Sequence, residues 1–451
     1  MDNIIIIPEK LIKAELELND IIFDGAPCGS LLSYYHTNLY KGNIKPISVL
    51  LFVALLFREI LIGLMTPFCK QNFREKKILF GKTANRIQFN SLIDPLKDVF
   101  CKHSIIFMPN RESEFKKTNF YKSLKVKRAF GIIYDVLKSK SRIKRIYRDN
   151  GIPINTWIVL YTLFKQLVSY TNWVKFFEVN NFKCVMVDYD RKRVNSVIVI
   201  AAKRKKIPVY TLQHGVLNGI FGYYPILANK ICVWGDFHKR QLLSFGLSAS
   251  QIEIVGNPIA KKVIKNDLVQ NKKSKKRLVF GVGINPTKEK ENILFIKYLL
   301  SFDIDVQWIF RLHPAMKLGK WSSNFQENRD ILFEIGTERP ISSFFTSIDL
   351  LIVGNSGIGF EAILNNIPVW VYKVSQTSLE NDFVMIENGF CPDVTSSNNF
   401  IKEYAKLKND NLYLRNILAA QKSFLEKDFY NSYGNTSTDH IIDIVLKCIK
   451  Q

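Results

Sequence analysis

The chain has 451 residues, 47% of them hydrophobic and 23% charged, and its 64 Lys and Arg against 40 Asp and Glu give a formal net charge of +24. This composition excludes a disordered chain, and the length is too great for one ordinary core, so two domains are expected. A positive field of this size attracts nucleic acid, anionic lipid headgroups or acidic small molecules and polymers, and composition alone does not choose among them.

The seven cysteines are scattered along the chain and form no Cys-x-x-Cys pair. Such a set predicts reduced core thiols in a cytoplasmic protein rather than a disulfide framework or a zinc site. The N-terminal residues have an acidic second position and a proline after a short apolar run, which is not the pattern of a secretory signal.

The most apolar stretch is residues 48–68, whose uninterrupted run covers only residues 49–57. A spanning helix needs roughly 20 apolar residues, and Arg58 and Glu59 in the middle would each cost about 2.5–3.5 kcal/mol. We therefore reject a spanning helix. Two interpretations stay open: a buried helix, and a helix that lies in a membrane interface with help from the surrounding Lys and Arg.

Strands are predicted at residues 76–82 and 103–110, with a helical stretch at 91–99 between them. The very basic segment that follows, residues 116–148, places apolar residues between Lys and Arg, as a helix with a cationic face does. This face is either simply solvated or a patch that meets a membrane or an anionic acceptor.

From residue 156 the chain alternates regularly between helix and strand. A helix to about residue 179 is followed by strands at 182–190, 207–215, 228–235 and 252–258 and helices at 194–206 and 237–246. The pattern then repeats, with strands at 277–283, 305–314, 349–357 and 367–373, helices at 285–300, 339–348 and 358–366, and a helical tail from 398. Short strands alternating with helices indicate parallel sheets covered on both faces.

The predicted fold is therefore α/β, with two Rossmann-type doubly wound domains that face each other across a cleft. The N-terminal domain is expected to cover residues 1–262, of which 1–70 are helical. A charged linker at 263–277 leads to the C-terminal domain, residues 278–451, which includes the helical tail.

Ligands of open parallel sheets bind beyond the carboxyl ends of the strands. The residues predicted to lie at such ends are Asp188, Gln213, His214, Gly215, Trp234, Gly235, Gly283, Asn285, Arg311, His313, Pro314, Asn355, Ser356 and Gly357. This clustering indicates a site more strongly than any single motif does. No metal-ligand spacing, Gly-x-Ser-x-Gly motif or Walker phosphate loop is present in the sequence.

The loop Asn355-Ser356-Gly357 precedes a predicted helix. Its glycines let backbone N–H groups approach an anion at the positive end of the helix dipole, so a phosphate-binding turn is predicted, with a plain tight turn as the alternative. Glu361, expected in the first helical turn, either accepts hydrogen bonds from ribose hydroxyls or only pairs favourably with the dipole.

Arg311 and His313 are two residues apart on a strand, so they are expected to point the same way and to suit the oxygens of a phosphate or carboxylate. His214 is a candidate for orienting a sugar hydroxyl, stabilising a leaving phosphate or acting as an acid or base. Asp188, at the end of a buried strand, is the candidate base or nucleophile. The competing role for Asp188 is a helix N-cap, and Asp190 is an alternative carboxylate.

The motifs PVYTLQHG, ICVWG, IVGNP, FRLHP and DLLIVGNSGIGFEAILNNIPVWVY occur in this order. Together they resemble bacterial surface-polysaccharide glycosyltransferases of the two-Rossmann (GT-B) type, especially the Kdo and sialic-acid (nonulosonate) transferases of capsule and O-antigen synthesis. The likeness spans about residues 182–372. It implies a GT-B-like fold in which His313-Pro314 and the Ser356 loop contact the phosphate and cytidine of a CMP-activated sugar.

The predicted donor-binding residues are Gln213, Gly215, Gly283, Asn285, Arg311, His313, Pro314, Asn355, Ser356, Gly357 and Glu361. The predicted catalytic residues are Asp188 and His214. The chain departs from the family in two ways. The acidic Asp/Glu-Asp/Glu-Gly motif of several sialyltransferase families is missing, so the resemblance does not assign the base. The Gln-His-Gly turn also lacks the tryptophan and downstream lysine of polyol-phosphate transferases, which disfavours that activity.

The resemblance implies transfer of a CMP-activated 2-keto sugar acid to a glycan or lipid-linked glycan acceptor in capsule, O-antigen or lipooligosaccharide synthesis. No divalent metal or other cofactor is expected, because Arg311, His313 and helix N-termini stabilise the leaving phosphate. The basic charge predicts peripheral association with the anionic inner face of the cytoplasmic membrane.

The alternative functions are a GT-B transferase that uses a UDP- or GDP-hexose, a nucleotide-sugar 2-epimerase of the same fold, a hydrolase and a nucleic-acid-binding protein. Nucleic acid is disfavoured as a partner because the basic segment, residues 116–148, has few interleaved aromatic residues.

Overall fold

A computed structural model of the chain describes residues 8–40, 44–66, 73, 75–82, 99–100, 104–107, 122–213, 215, 217, 223–258, 277–284, 289–313, 316, 321, 325, 330–336, 338–354, 356–373, 384–387, 389–432 and 434–450. The chain divides into two compact units. The first consists of Met1–His214, Ile220–Ile259 and Asn435–Gln451, and the second of Gly215–Gly219 and Ala260–Gly434.

The described helices, in chain order, are α1 (Pro8–Leu18), α2 (Cys28–Tyr40), α3 (Val49–Met65), α4 (Val126–Lys138), α5 (Lys140–Asp149), α6 (Thr156–Val179), α7 (Arg193–Arg204), α8 (Asp236–Ser244), α9 (Glu289–Leu300), α10 (Ile341–Ser347), α11 (Gly357–Leu364), α12 (Val384–Glu387), α13 (Ser397–Asn409), α14 (Tyr413–Phe424) and α15 (Gly434–Lys450). The described strands are β1 (Ile22–Phe23), β2 (Ala26–Pro27), β3 (Ile78–Gly81), β4 (Ser104–Phe107), β5 (Cys184–Val187), β6 (Val209–Leu212), β7 (Lys230–Val233), β8 (Ile252–Ile254), β9 (Leu278–Ile284), β10 (Val306–Leu312), β11 (Ile331–Ile335), β12 (Leu350–Val353) and β13 (Val369–Val371).

The first unit contains a six-stranded parallel sheet in the order β4-β3-β5-β6-β7-β8. β3 pairs with β5, although β4 separates them in the sequence, and Gly81 at the end of β3 lies level with Val187 at the end of β5. The connections therefore leave this pair in opposite directions. The crevice beyond their carboxyl ends is the topological switch point, where sheets of this type bind ligands.

The core of the first unit has two layers because side chains alternate along each strand. Leu79 and Val185 point into the layer built with α1, α2, α6 and α7. Phe80 and Met186 point to the opposite face, which the apolar side of the C-terminal helix α15 covers.

This second layer corrects the domain assignment from the sequence, which placed the whole helical tail in the C-terminal domain. Residues 435–451 instead pack on the first unit, where Ile441 and Val445 are fully buried. A parallel sheet has to bury both faces. The chain thus returns to its first sheet with its last helix.

The second unit contains a five-stranded parallel sheet in the order β11-β10-β9-β12-β13. Its switch point lies between β9 and β12. Strand β11 was not predicted, although its sequence ILFEI is a short apolar run of the strand type. The other strands and helices predicted from residue 156 onward are confirmed within the described residues.

Some predictions fall almost entirely outside the described residues, namely the helical stretch at 91–99 and the linker at 263–277. Five of the seven cysteines are described, and all five are buried free thiols, as predicted.

Within the apolar stretch at residues 48–68, Val49–Met65 form α3, and the side chain of the N-cap residue Ser48 accepts a hydrogen bond from the Leu51 N–H. Its interpretation as a buried helix is wrong, because Phe52, Leu56 and Gly63 are its buried positions and most of the others are exposed. No helix among the described residues is both long and apolar enough to cross a membrane.

Replacing Ile441 with Ala tests the role of α15. We expect the variant to lose about 2–5 kcal/mol of unfolding free energy, because it opens a cavity in a fully packed layer. Hydrogen exchange should accelerate at the β3 and β5 amides. Ile401→Ala, at a position 56% exposed on α13, is the matched control and should change the unfolding free energy by less than about 0.5 kcal/mol. Equal effects of the two substitutions would contradict this assignment of α15.

Candidate functional site

The switch point of the second unit brings together predicted site residues from three strands. Gly283 is the penultimate residue of β9, His313 directly follows β10, and Ser356 lies between β12 and α11. The His313 backbone N–H donates to the Ile284 carbonyl at 3.1 Å, which fixes the turn after β10 to the end of β9. These residues therefore lie where parallel sheets bind their ligands.

The three glycines at this edge, Gly283, Gly357 and Gly359, differ in how closely other side chains approach them. A Cβ at Gly283 would lie 3.2 Å from the Ile358 side chain, and one at Gly359 would lie 2.7 Å from Met385, so both glycines allow close packing. Gly357 is exposed, its φ is not positive, and an added Cβ would meet no atom of the described residues within 4 Å. Neither packing nor backbone conformation explains a glycine at position 357.

Ser356 and Gly357 form an open helix N-terminus. Ser356 is the N-cap residue of α11, with an extended backbone at φ −143° and ψ 143°, and its side chain makes no capping hydrogen bond. The Gly359 N–H donates to the Ser356 carbonyl at 3.1 Å. The N–H groups before it, at Gly357 and Ile358, have no partner within the helix and lie at the positive end of its dipole, which favours an anion. The geometry of this end of α11 is compatible with the phosphate-binding turn, which stays a prediction.

His313 lies at the same edge and is exposed to solvent. The surrounding protein still removes part of the water around its imidazole, and this desolvation lowers the imidazole pKa. The neutral imidazole has one N–H donor and one acceptor nitrogen. His313 is therefore suited to a hydrogen bond with a phosphate or a sugar hydroxyl without a fixed positive charge.

The side chain of Arg311 is bound by other protein groups and not directed to a site shared with His313. Its guanidinium is buried and pairs with the Glu334 carboxylate, and it also donates to the carbonyls of Gly336 and Arg339 at 3.3 and 2.8 Å. The unpredicted strand β11 causes the difference, because its register places Glu334 directly beside Arg311. The predicted role of Arg311 as a phosphate ligand is thus disfavoured, since its donors already bind acceptors of the protein.

Glu361 lies deeper in α11 than predicted. The helix begins at Gly357, so its first turn has no acidic residue and Glu361 falls in the second turn. Burial raises the pKa of the Glu361 carboxyl, and the nearby Arg311 partly opposes this shift. Dipole pairing at the helix start is weaker at this depth because the dipole effect is confined to the first turn.

The switch point of the first unit contains Asp188, which is fully buried. Its carboxylate accepts a hydrogen bond from the Asn195 side chain at 2.9 Å, and the same amide group donates to the Gly81 carbonyl at 3.2 Å. Asp188 is not the N-cap of α7, since Lys192 occupies that position. The structure favours a role for Asp188 in fixing the ends of β3 and β5, with Asn195 as the partner that the sequence did not reveal.

Asp190 also holds a loop in place. Its carboxylate accepts hydrogen bonds from the backbone N–H groups of Leu227 and Ala228 at 2.8 and 3.1 Å. Burial raises the pKa of Asp190, although these two amides favour its charged form. The contacts explain why Asp190 is buried without assigning it a part in chemistry.

The next residue, Arg191, anchors the same turn through a buried ion pair. Its two terminal nitrogens lie 2.9 and 2.6 Å from the two carboxylate oxygens of Glu15 on α1. His36 Nδ1 lies 2.9 Å from Glu15, and its Nε2 lies 2.6 Å from the Tyr147 hydroxyl. Burial alone would raise the pKa of Glu15, but Arg191 and His36 outweigh it and lower the pKa.

Gln213 joins two neighbouring strand ends. It is buried, its backbone N–H donates to the Cys232 carbonyl, and its side-chain oxygen accepts from the Trp234 N–H at 2.9 Å. Gly215 lies beyond the strand, where an added Cβ would meet no atom within 4 Å. The side chain of Gln213 therefore sets the spacing of the β6 and β7 ends.

Four predicted site residues, His214, Asn285, Pro314 and Asn355, lie outside the described residues. Among the residues that the structure does describe, no group of three or more His, Cys, Asp or Glu side chains is arranged to hold a metal ion.

Glu334→Gln tests whether Arg311 is held by the protein. Removing one charge of a buried pair leaves the other uncompensated, so we expect a loss of about 3–5 kcal/mol in unfolding free energy. Urea unfolding measures it. Lys406→Gln, which removes an exposed ion pair, is the control and should cost less than about 1 kcal/mol. If Glu334→Gln lost no more unfolding free energy than the control, Arg311 would again be a candidate phosphate ligand.

The fold is similar to that of several solved structures. MurG from Acinetobacter baumannii superimposes with a TM-score of 0.51 at 10% identity, covering 82% of this chain and 99% of that one. A UDP-GlcNAc 2-epimerase from Neisseria meningitidis bound to UDP-GlcNAc gives 0.49 at 14% identity, covering 83% and 100%. A glycosyltransferase from Rickettsia africae gives 0.48 at 11% identity, covering 83% and 99%.

No protein-family profile matches the sequence, and neither does any curated protein. The two parallel α/β sheets and the likeness to MurG together show a GT-B-like fold, as the sequence predicted.

Proposed function

We propose that the protein is a glycosyltransferase that takes a sugar from a nucleotide-sugar donor and attaches it to a glycan. The observation that carries the proposal is the open N-terminus of α11 at Ser356 and Gly357, beside His313 at the switch point of the second sheet. A helix N-terminus at this place suits the phosphate of a nucleotide.

Transfer of a glycosyl group leaves negative charge on the departing phosphate. Backbone N–H groups that already point at this charge stabilise it without reorganisation, and a His313 hydrogen bond adds to them. We propose that these groups suffice without a divalent metal. Asn285, Pro314 and Asn355 complete the proposed donor site on the strength of the sequence.

The donor is proposed to be a CMP-activated 2-keto sugar acid, such as sialic acid, Kdo or another nonulosonate. The support is the resemblance of the FRLHP and GNSG segments to the transferases that use such donors. A UDP- or GDP-hexose is the alternative donor. A nucleotide-sugar 2-epimerase is the second candidate function, because a Ser-Gly turn followed by Glu361 also suits that reaction.

For catalysis we propose His214 as the acid, base or phosphate-stabilising group, on the grounds of its place after β6 and next to Gly215. Asp188 is proposed as the residue that positions the β3 and β5 ends, since its burial and its bond to Asn195 support that role.

The acceptor is proposed to be a glycan or lipid-linked glycan of capsule, O-antigen or lipooligosaccharide synthesis. The +24 charge favours acidic acceptors and a cytoplasmic protein held at the anionic inner face of the membrane. Nucleic acid is not a proposed partner.

A thermal-shift screen with CMP, CDP, UDP, GDP and dTDP tests the donor site. Binding to the folded state raises the melting temperature by mass action, and we expect CMP to give the largest shift. His313→Ala and Gly357→Ala should each weaken nucleotide binding at least about tenfold, equivalent to ~1.4 kcal/mol. A methyl group at position 357 should obstruct the approach of phosphate to the helix amides, and it meets no atom of the described residues within 4 Å.

Gly131→Ala is the matched control, because Gly131 is also an exposed helical glycine whose added Cβ meets no atom within 4 Å. It should leave nucleotide binding unchanged. A shift with UDP or GDP alone moves the donor to a hexose, and turnover of UDP-GlcNAc without an acceptor identifies an epimerase. The absence of any nucleotide-induced shift would refute the proposed site.

Asp188→Asn separates positioning from catalysis. We expect a loss of about 1–3 kcal/mol in unfolding free energy, because a buried charge-assisted hydrogen bond is weakened, with transfer activity reduced less than about tenfold. Unfolding and steady-state transfer measured on one preparation decide the matter. Unchanged stability with a rate loss beyond about 100-fold would show that Asp188 is the base.

A further inference from the structure

Helix α3 exposes an apolar stripe along its whole length. Leu50, Phe57 and Met65 are 82%, 63% and 84% exposed. The large apolar side chains exposed on α3 are those of Val49, Leu50, Leu51, Val53, Phe57, Leu61, Ile62, Leu64 and Met65. Several of them follow one another at three- and four-residue intervals, so they form one continuous face of the helix.

Helix α4, which packs beside α3, also exposes apolar side chains. Phe130 and Tyr134 are exposed on successive turns, between Val126 and Leu137, which are exposed as well. The α3–α4 apolar surface is defined here as the exposed residues of α3 given above with Val126, Phe130, Tyr134 and Leu137. Exposed apolar surfaces of this extent mark interaction sites.

The two helices are fixed to each other at Gly63. The Leu124 N–H, two residues before α4, donates to the Gly63 carbonyl at 2.9 Å. A Cβ at Gly63 would lie 2.6 Å from the Leu124 side chain, so the glycine permits this close approach. The surface is consequently a fixed platform on the first unit.

One of the two charged residues of α3 turns away from solvent. Glu59 turns inward, where its carboxylate accepts from the Tyr161 hydroxyl at 2.8 Å and pairs with Lys165 at 3.3 Å. Arg58 keeps 58% of its side chain exposed and is the other charged residue of the helix. The burial of Glu59 against α6 explains how a helix with two central charges can still present an apolar face.

Basic residues border the apolar surface on α4. Lys127 lies three residues before Phe130 and Lys138 lies four residues after Tyr134, so each neighbours an exposed ring on the helix surface. Helix α5, which begins two residues after α4 ends, adds the exposed cations Arg142, Lys144, Arg145 and Arg148. An apolar face with a basic border is the pattern of helices that lie in the interface of an anionic bilayer.

We propose that the α3–α4 apolar surface docks on an anionic lipid bilayer, with α3 lying in the headgroup layer and the α4 and α5 cations on lipid phosphates. A second copy of the chain fits the surface less well, because two such surfaces face to face would bring their basic borders together. The inference rests on the membrane association in the proposed function, and it assigns that association to the α3–α4 apolar surface. It does not depend on the identity of the donor or on the catalytic residues.

Co-sedimentation of the full chain with vesicles tests the proposal, using phosphatidylcholine alone and phosphatidylcholine mixed with phosphatidylglycerol. We expect binding to the mixed vesicles at low salt and weaker binding at high salt. The double substitution Leu50→Ser with Phe57→Ser should reduce vesicle binding at least about tenfold. Lys127→Gln with Lys138→Gln should weaken binding and flatten its salt dependence.

The matched control is Leu294→Ser with Ile401→Ser, which removes exposed apolar side chains, 65% and 56% exposed, from α9 and α13 of the second unit. The control should bind vesicles like the native chain. All three double variants alter exposed positions, so their melting temperatures should stay close to the native value. The substitution Phe57→Trp gives a second readout. When vesicles are added, the fluorescence of the indole at position 57 should shift to the blue, and brominated lipids should quench it.

Native protein that stays in the supernatant with mixed vesicles, or equal binding by the α3 variant and the control, would overturn the proposal. So would a native dimer that the α3 substitutions convert to monomer while vesicle binding persists. Nucleotide-induced thermal shifts of the same variants should be unchanged. Failure of the docking surface is thereby distinguished from failure of the proposed function.

Discussion

The first unit depends on one constraint, namely that a parallel sheet has to bury both of its faces. The alternation of Leu79 and Phe80 on β3 sends apolar side chains to both sides. The helices around α6 cover one side. Helix α15 covers the other side. Residues 435–451 therefore pack on a sheet whose first strand begins at Ile78. The first unit is therefore built from segments that lie far apart in the sequence.

Buried ion pairs hold the backbone at the edges where ligands are expected. Glu15 and Arg191 join α1 to the turn after β5, and Glu334 and Arg311 join β11 to β10. Such pairs add little net stability, but breaking one is costly, so they fix a single arrangement of the loops. The open end of α11 contrasts with them. There a Cβ added at Gly357 would meet no atom of the described residues within 4 Å, and Ser356 makes no side-chain capping hydrogen bond.

The sequence predicted the alternation of strands and helices from residue 156 onward almost completely, because periodicity and turn residues are local signals. It also located the edge at Gly283, His313 and Ser356. It did not reveal the ion pair of Arg311, since a strand register decides that Glu334 lies beside it. Likewise, nothing local to Asp188 indicates that Asn195 and Gly81 enclose it. Long-range pairing of charges and amides has no signature in the spacing of residues.

Helix α3 illustrates the difference between what the sequence determines and what only the tertiary structure determines. Composition fixed that residues 49–65 form an apolar helix too short to span a bilayer, because chain length and hydropathy are properties of the sequence itself. Whether that helix is buried was decided by tertiary structure alone. Packing against α6 and α4 takes up Phe52, Leu56 and Gly63 and leaves the remaining apolar side chains mostly in solvent. Burial depends on which surfaces the rest of the chain brings together, and the local sequence does not contain that.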